Sequence, residues 1–202
     1  MAGMHFLAGI ATKDFVILAC DKSSFAYGAI VVDENSNKEY RLGTKLTMMC
    51  IGEDGDVEQF GDWTKRNLRL YAIRNGYELS PKAAQHWIRK GIADSLRSRD
   101  HYTVDILLGG YDDDEESAFL GSIDYLGSGI QVQPYLFRGF PGRLSYAIMD
   151  REYRPNMNPE EAQALIKKCL AEAKKRFVAN LNGYHLVMIN KDGYKKLDDV
   201  LF

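Results

Sequence analysis

Apolar and polar positions follow two periods along this chain, and the changes of period mark its elements. Residues 6–12 and 15–20 are apolar runs of strand length separated by Lys13-Asp14, which predicts a hairpin. Residues 25–32 and 38–42 read as strands flanking the polar turn 33–37, and 45–51 is a further β-rich run. The period then lengthens. Val57, Phe60, Thr64, Leu68 and Tyr71 recur at helical spacing over about 54–74, and Asn75-Gly76 supplies a stop that tolerates the left-handed conformation. Ser80-Pro81 restarts a helix as cap and first residue, with Ala84, Trp87, Ile88, Gly91, Ile92, Ser95 and Leu96 on its apolar face.

Strand patterning returns at 103–110 and 117–124, and a short strand is expected at 135–137. Residues 143–150 fit helix and strand equally. Asn158-Pro159-Glu160-Glu161 combines a cap, a proline and two acids at the positive end of a helix dipole, so it opens a helix running to about residue 179. The chain closes with strands at 184–190 and 194–200 around the turn Lys191-Asp192-Gly193. Strands thus come in blocks joined by short turns, with helices segregated between them. That pattern predicts an α+β fold of antiparallel sheets: two stacked sheets with a helical layer on each outer side, in a single domain over 1–202.

Composition narrows the function classes. At 202 residues, 46% hydrophobic and 27% charged, the chain can bury a core without staples. A net charge of −2 gives no electrostatic footprint for nucleic acid or a membrane surface. No apolar run is long enough to span a bilayer, and the N-terminus lacks the pattern of a secretion signal. Cys20, Cys50 and Cys169 lie far apart in apolar segments without C-x-x-C spacing, and read as buried free thiols. No local motif joins any of them to His101 or His185 as a catalytic pair. The acidic run 112–116 lacks the spacing of a calcium loop and reads as a solvated hairpin tip.

Several separated segments together resemble proteasome beta subunits. They are FVILACDK at 15–22, the glycine turn GEDGD at 52–56, RNGYELSP at 74–81, LRSR at 96–99, LLGGYD at 107–112 and YAIMDR at 146–151. The resemblance covers nearly the whole chain. It implies the N-terminal nucleophile hydrolase fold, a four-layer αββα sandwich, which matches the architecture expected from patterning alone.

Catalytic members of that family use an N-terminal Thr whose hydroxyl attacks the peptide carbonyl, with a Lys and an Asp tuning proton transfer. On this resemblance Asp21 falls at the Asp position and Lys38 at the Lys position, counted back from Gly52. His5 stands where the nucleophile belongs, and the four residues before it are too few for a propeptide. Phe140 falls at a Ser position, and Phe177 and Asn180 fall at an Asp and a second Ser. Aromatic rings cannot orient a proton relay. The expectation is therefore a non-catalytic subunit: no catalytic residue, no cofactor, no metal, and an Asp21–Lys38 pair with a structural role. The competing reading is an active hydrolase with another nucleophile, such as Thr12 or Thr44, each of which would need cleavage within or beside a strand. An alpha-type subunit is disfavoured, because five residues before Phe6 leave no room for the extra N-terminal helix of that type.

The resemblance further implies partners: neighbouring beta subunits of the same ring, an alpha-ring subunit and beta subunits of the opposite ring, in the cytoplasm and nucleus. Residues 71–77 and 135–140, rich in aromatics and Arg, are the expected anchors of such interfaces.

Overall fold

The computed structural model describes residues 4–27 and 30–202. The first hairpin forms as patterned. Strand β1 (Leu7–Ala11) pairs antiparallel with β2 (Phe15–Asp21), in register Leu7 with Cys20 through Ala11 with Val16. The expected single strand over 25–32 is instead two short strands, β3 (Ser24–Ala26) and β4 (Ile30–Asp33), paired with each other. The chain reverses where Tyr27 takes a positive φ of 50°; residues 28 and 29 of the expected strand, and residues 1–3, lie outside the described residues. After the polar turn come β5 (Glu39–Arg41) and β6 (Leu46–Gly52), then α1 (Asp54–Asn75) and α2 (Pro81–Ser95). Gly76 ends α1 at φ 79°, with its N–H returning to the Ala72 carbonyl. Ser80 caps α2 by accepting from the Ala83 N–H.

Strands β7 (Val104–Asp112), β8 (Ser117–Ile123), β9 (Gly129–Ile130) and β10 (Tyr135–Arg138) follow. The ambiguous stretch after Phe140 is helical: a 3-10 turn at Pro141–Leu144 leads into α3 (Tyr146–Glu152). Helix α4 (Pro159–Arg176) opens with a reciprocal capping box between Asn158 and Glu161 and ends three residues before the expected limit, where Phe177 turns extended. The last expected strand, 194–200, is broken. After β11 (Gly183–Asn190), β12 (Gly193–Lys196) and β13 (Val200–Leu201) are separate pieces that both pair with β11. The break frees Asp199 to bond Lys22 and His185.

Side-chain alternation sorts these strands into layers. One sheet runs β10-β1-β2-β11-β12 and the other β5-β6-β7-β8-β9. From the first sheet Ala8, Ile10, Ile17, Ala19, Leu186 and Met188 pack outward on Met149 of α3 and Leu165, Ile166 and Leu170 of α4. From the second, Met48, Cys50, Ile106 and Leu108 pack outward on Phe60 and Leu68 of α1 and Ile88 and Ile92 of α2. Alternate residues of both sheets, among them Leu7, Leu18, Val187, Met49, Ile51, Leu107 and Leu120, meet in the middle layer. Burial on both faces explains why every residue of β2 and β6 is buried although the sheets are antiparallel. The result is the expected four-layer αββα sandwich.

Gly9 sets the spacing at the centre of the middle layer. A Cβ there would sit 2.6 Å from Leu120 Cδ1 and 3.1 Å from Leu107 Cδ2. Gly9→Val should therefore overpack the seam and lower the stability of the chain by about 1–3 kcal/mol, read as a drop in urea midpoint at unchanged m-value. An unchanged midpoint would mean that the seam is loose there.

Candidate functional site

The residues that the resemblance puts at catalytic positions divide into two groups. The first converges at the end of β2. Asp21 is the last residue of that strand and its carboxylate is fully buried. It accepts the Phe6 N–H on Oδ1 at 2.8 Å and the Ser23 N–H on Oδ2 at 3.2 Å. Nδ1 of buried His5 lies 3.2 Å from Oδ2 and donates to it, since an ionised carboxylate can only accept. The ammonium of buried Lys38 completes the shell, 3.1 Å from Oδ2, while also donating to the Asp21 carbonyl at 2.9 Å and the Ser23 carbonyl at 2.6 Å.

Burial alone would push the Asp21 pKa up. The Lys38 charge, with the His5 and Phe6 hydrogen bonds, outweighs it and holds the carboxyl below its usual range. A cavity of about 390 Å³ opens beside this group, lined among others by His5, Lys38, Ser24 and Ser36 and by Asp54, Glu58 and Asp62 of α1. Chemically the group has an oriented imidazole, a buried cation and a buried anion. No hydroxyl or thiol among the described residues hydrogen-bonds to the free Nε2 of His5.

The second group does not join this network. Phe140 and Phe177 lie against each other, ring centroids 6.1 Å apart, and Asn180 accepts from Lys174. Thr12 uses its hydroxyl within the β1–β2 turn, bonded to Phe15. Thr44 bonds Glu78 with both its N–H and its hydroxyl at 2.9 Å. Neither Thr hydrogen-bonds to Asp21 or Lys38.

The cysteines are all buried and free, and burial pushes the Cys169 thiol up to about 12 and the other two higher still. The register does place His185 directly across from Cys20. Its ring, however, is held by carboxylates on both nitrogens: Glu39 at 2.7 Å and Asp199 at 3.1 Å. Neither this carboxylate pairing nor the role of the Ser23 backbone was singled out from sequence. The available signal was the pair of acid–base dipeptides Asp21-Lys22 and Lys38-Glu39 at the edges of apolar strands.

The acidic tip is solvated at residues 113–116, tied by Lys45 to Asp113 at 2.6 Å and Lys82 to Glu115 at 2.5 Å, whereas Asp112 is buried and accepts the N–H groups of Asp114 and Glu115. Among the described residues no His, Cys, Asp and Glu cluster is arranged to hold a metal, and no helix is long and apolar enough to cross a membrane. Of the expected interface segments, Ile73 and Tyr77 are well exposed in the first. In the second Leu136 and Phe137 are core and only Phe140 stands largely out.

Comparison with known proteins gives this geometry its family. The family model described as proteasome subunit matches residues 6–189. Proteasome subunit beta type-2 of Caenorhabditis elegans is 67% identical, over 98% of this chain and 100% of its own length. Proteasome subunit beta type-4 of Saccharomyces cerevisiae is 37% identical over 97% and 98%, and proteasome subunit beta type-2-A of Arabidopsis thaliana is 34% identical over 94% and 91%. With its αββα sandwich and a cavity lined by His5 and Lys38, the chain belongs to the proteasome subunit family, as a beta-type member.

Proposed function

We propose that this chain is a non-catalytic, structural beta subunit of the 20S core particle, at the fourth position of the beta ring. One observation carries the reading: the imidazole of His5, the residue that the resemblance puts at the nucleophile position, donates into Asp21 instead of presenting a hydroxyl to the cavity. The Phe140–Phe177 ring contact supports it, because it puts hydrocarbon where catalytic members carry polar groups. On this reading the peptide-bond chemistry of the particle, which degrades ubiquitin-tagged proteins in cytoplasm and nucleus, belongs to other chains.

The role left to this chain is geometric. Its ring neighbours, an alpha-ring subunit and the opposite beta ring would take up the apolar surface it exposes. On the β3–β4 hairpin that surface includes Tyr27, 95% exposed, with Ile30 and Val32; along α1 it includes Leu70, Ile73 and the following Tyr77. Contiguous apolar exposure of this kind marks interaction surfaces.

Particles isolated gently from the source cells should contain the chain in a large multi-subunit assembly, and a threonine-directed electrophile should leave it unlabelled in intact-mass analysis. A free monomer, or a chain shortened to start at Thr, Ser or Cys and labelled there, would overturn the reading.

The Asp21–Lys38 pair then has a purely structural role, with its own signature. Removing one partner strands a buried charge, so Asp21→Asn or Lys38→Met should each cost about 3–5 kcal/mol, and the double variant clearly less than their sum. Because the folded-state pKa of Asp21 is depressed, its contribution is present above the unfolded value near 3.8 and is lost as pH falls through the folded one. Urea titrations across pH 2–6 should show that acid loss in the parent chain and a weaker one in Asp21→Asn. Additive single costs would argue against a coupled pair.

A further inference from the structure

A second polar group, apart from the Asp21–Lys38 pair, joins the two sheets. His185 on β11 is partly buried and lies between two carboxylates. Its Nε2 is 2.7 Å from Glu39 Oε2 on β5, the edge strand of the second sheet, and its Nδ1 is 3.1 Å from Asp199 Oδ1, just ahead of β13. A neutral imidazole has one N–H and one bare lone pair, so it can satisfy one carboxylate and must repel the other; only the imidazolium donates to both.

The surroundings are fixed from every side. Thr47 of β6 donates to Glu39 Oε1 at 2.9 Å, and Tyr194 of β12 donates to Glu39 Oε2 at 3.0 Å, with the Arg41 guanidinium over the Tyr194 ring. Lys22, just past β2, holds the other oxygen of Asp199 at 2.9 Å. Cys20 of β2 lies across the ladder from His185, and the Asp21–Lys38 pair sits one residue away along each chain segment.

These contacts sit at the two ends of one excursion of the chain, from Lys22 at the end of β2 to β5. That excursion carries the β3–β4 hairpin with its outward Ile30 and Val32. At its start Lys22 is tied to Asp199; at its finish Glu39 is tied to His185; between them the Ser36 N–H donates to the Lys22 carbonyl at 2.9 Å.

We propose that His185 is a proton-dependent clasp: as an imidazolium it locks Glu39 to Asp199 and pins the base of this excursion, and on losing a proton it releases β5 and the apolar hairpin beyond it. The clasp rests on the geometry of this chain and stands whether or not the subunit is catalytic.

The direction of the dependence follows from the charges. The Glu39 hydrogen bond raises the His185 pKa above the usual 6.5, burial opposes it, and the Asp199 bond raises it further. The clasp therefore stabilises fully below the unfolded His value and is lost as pH rises through the folded one. For Glu39 and Asp199 burial works upward, but their hydrogen bonds, His185 for Glu39 and Lys22 then His185 for Asp199, hold both carboxyls below their usual range. Their contribution is present above the unfolded carboxyl values and lost as pH falls through the folded ones. The clasp is closed in the window between the two losses.

The test uses the full chain in solution. Histidine side-chain nitrogen resonances, followed from pH 5 to 10, should show His185 protonated on both nitrogens at the acid end and losing its proton at a higher pH than a free histidine. Amide protection of residues 30–41, corrected for intrinsic exchange, should fall about tenfold per pH unit once the ring titrates, while the β7–β8 hairpin keeps its protection. In His185→Gln the protection of 30–41 should be low and flat in pH. In Asp199→Asn the ring should titrate at lower pH and the loss should move with it, which decides the matter even where His185→Gln folds poorly. A ring that titrates at or below the pH of a free histidine, or the same alkaline loss in His185→Gln, overturns the proposal.

Discussion

A carboxylate shut away from water is expensive unless every lone pair has a donor, and the burial of Asp21 imposes that condition on the rest of this fold. Its donors come from three places: the His5 ring and Phe6 N–H entering β1, the backbone leaving β2 and the ammonium of Lys38 ahead of β5. The first two belong to one sheet and the third leads into the other. The middle layer between the sheets is otherwise mostly hydrocarbon, which resists separation but fixes direction poorly, with the Arg138–Ser122 hydrogen bond joining β10 to β8 as a further polar link. Asp21 supplies the directional constraint at one end of that layer, and Glu39 with His185 supplies a second one residue further along the chain. The pair Lys38-Glu39 thus fastens β5 to the opposite sheet twice, with opposite charges.

The elements that the sequence announced are those whose evidence is local. Ser80-Pro81 before α2, the Asn158–Glu161 box before α4 and Asn75-Gly76 after α1 each put the cap chemistry within a few residues of the helix end, and each formed as read. The misread stretches depend on distant partners. Residues 25–32 are apolar apart from Gly28, the one local sign of the reversal at Tyr27. Residues 194–200 look continuous because the reason for the break, Asp199 turning to Lys22 and His185, lies 177 and 14 residues away. Gln85 sits on the apolar face of α2, where only the Ser122 and Ile130 carbonyls of β8 and β9 give its amide N–H groups a use.

The site was legible to a similar degree and for the same reason. Asp21 and Lys38 could be placed from the family resemblance because each ends or precedes a recognisable strand, and the structure brings them together at 3.1 Å. The engagement of His5 with Asp21 follows from residue 5 leading directly into β1, beside the end of β2. The Phe140–Phe177 contact needed the fold itself, since it joins the loop after β10 to the residue that ends α4.

On the functional reading proposed above, the persistence of two of the six catalytic positions has a physical cause. A nucleophile facing a cavity supports nothing else, so exchanging it for another polar side chain that can reach Asp21 leaves no buried group unsatisfied. Asp21 and Lys38 differ because each is the other's compensation, and losing either strands a charge at a cost comparable to a large part of a domain's net stability. Substitution is therefore cheap at position 5 and costly at positions 21 and 38. A subunit relieved of chemistry but still required to hold its shape would lose the first and retain the other two, which is the pattern this chain presents.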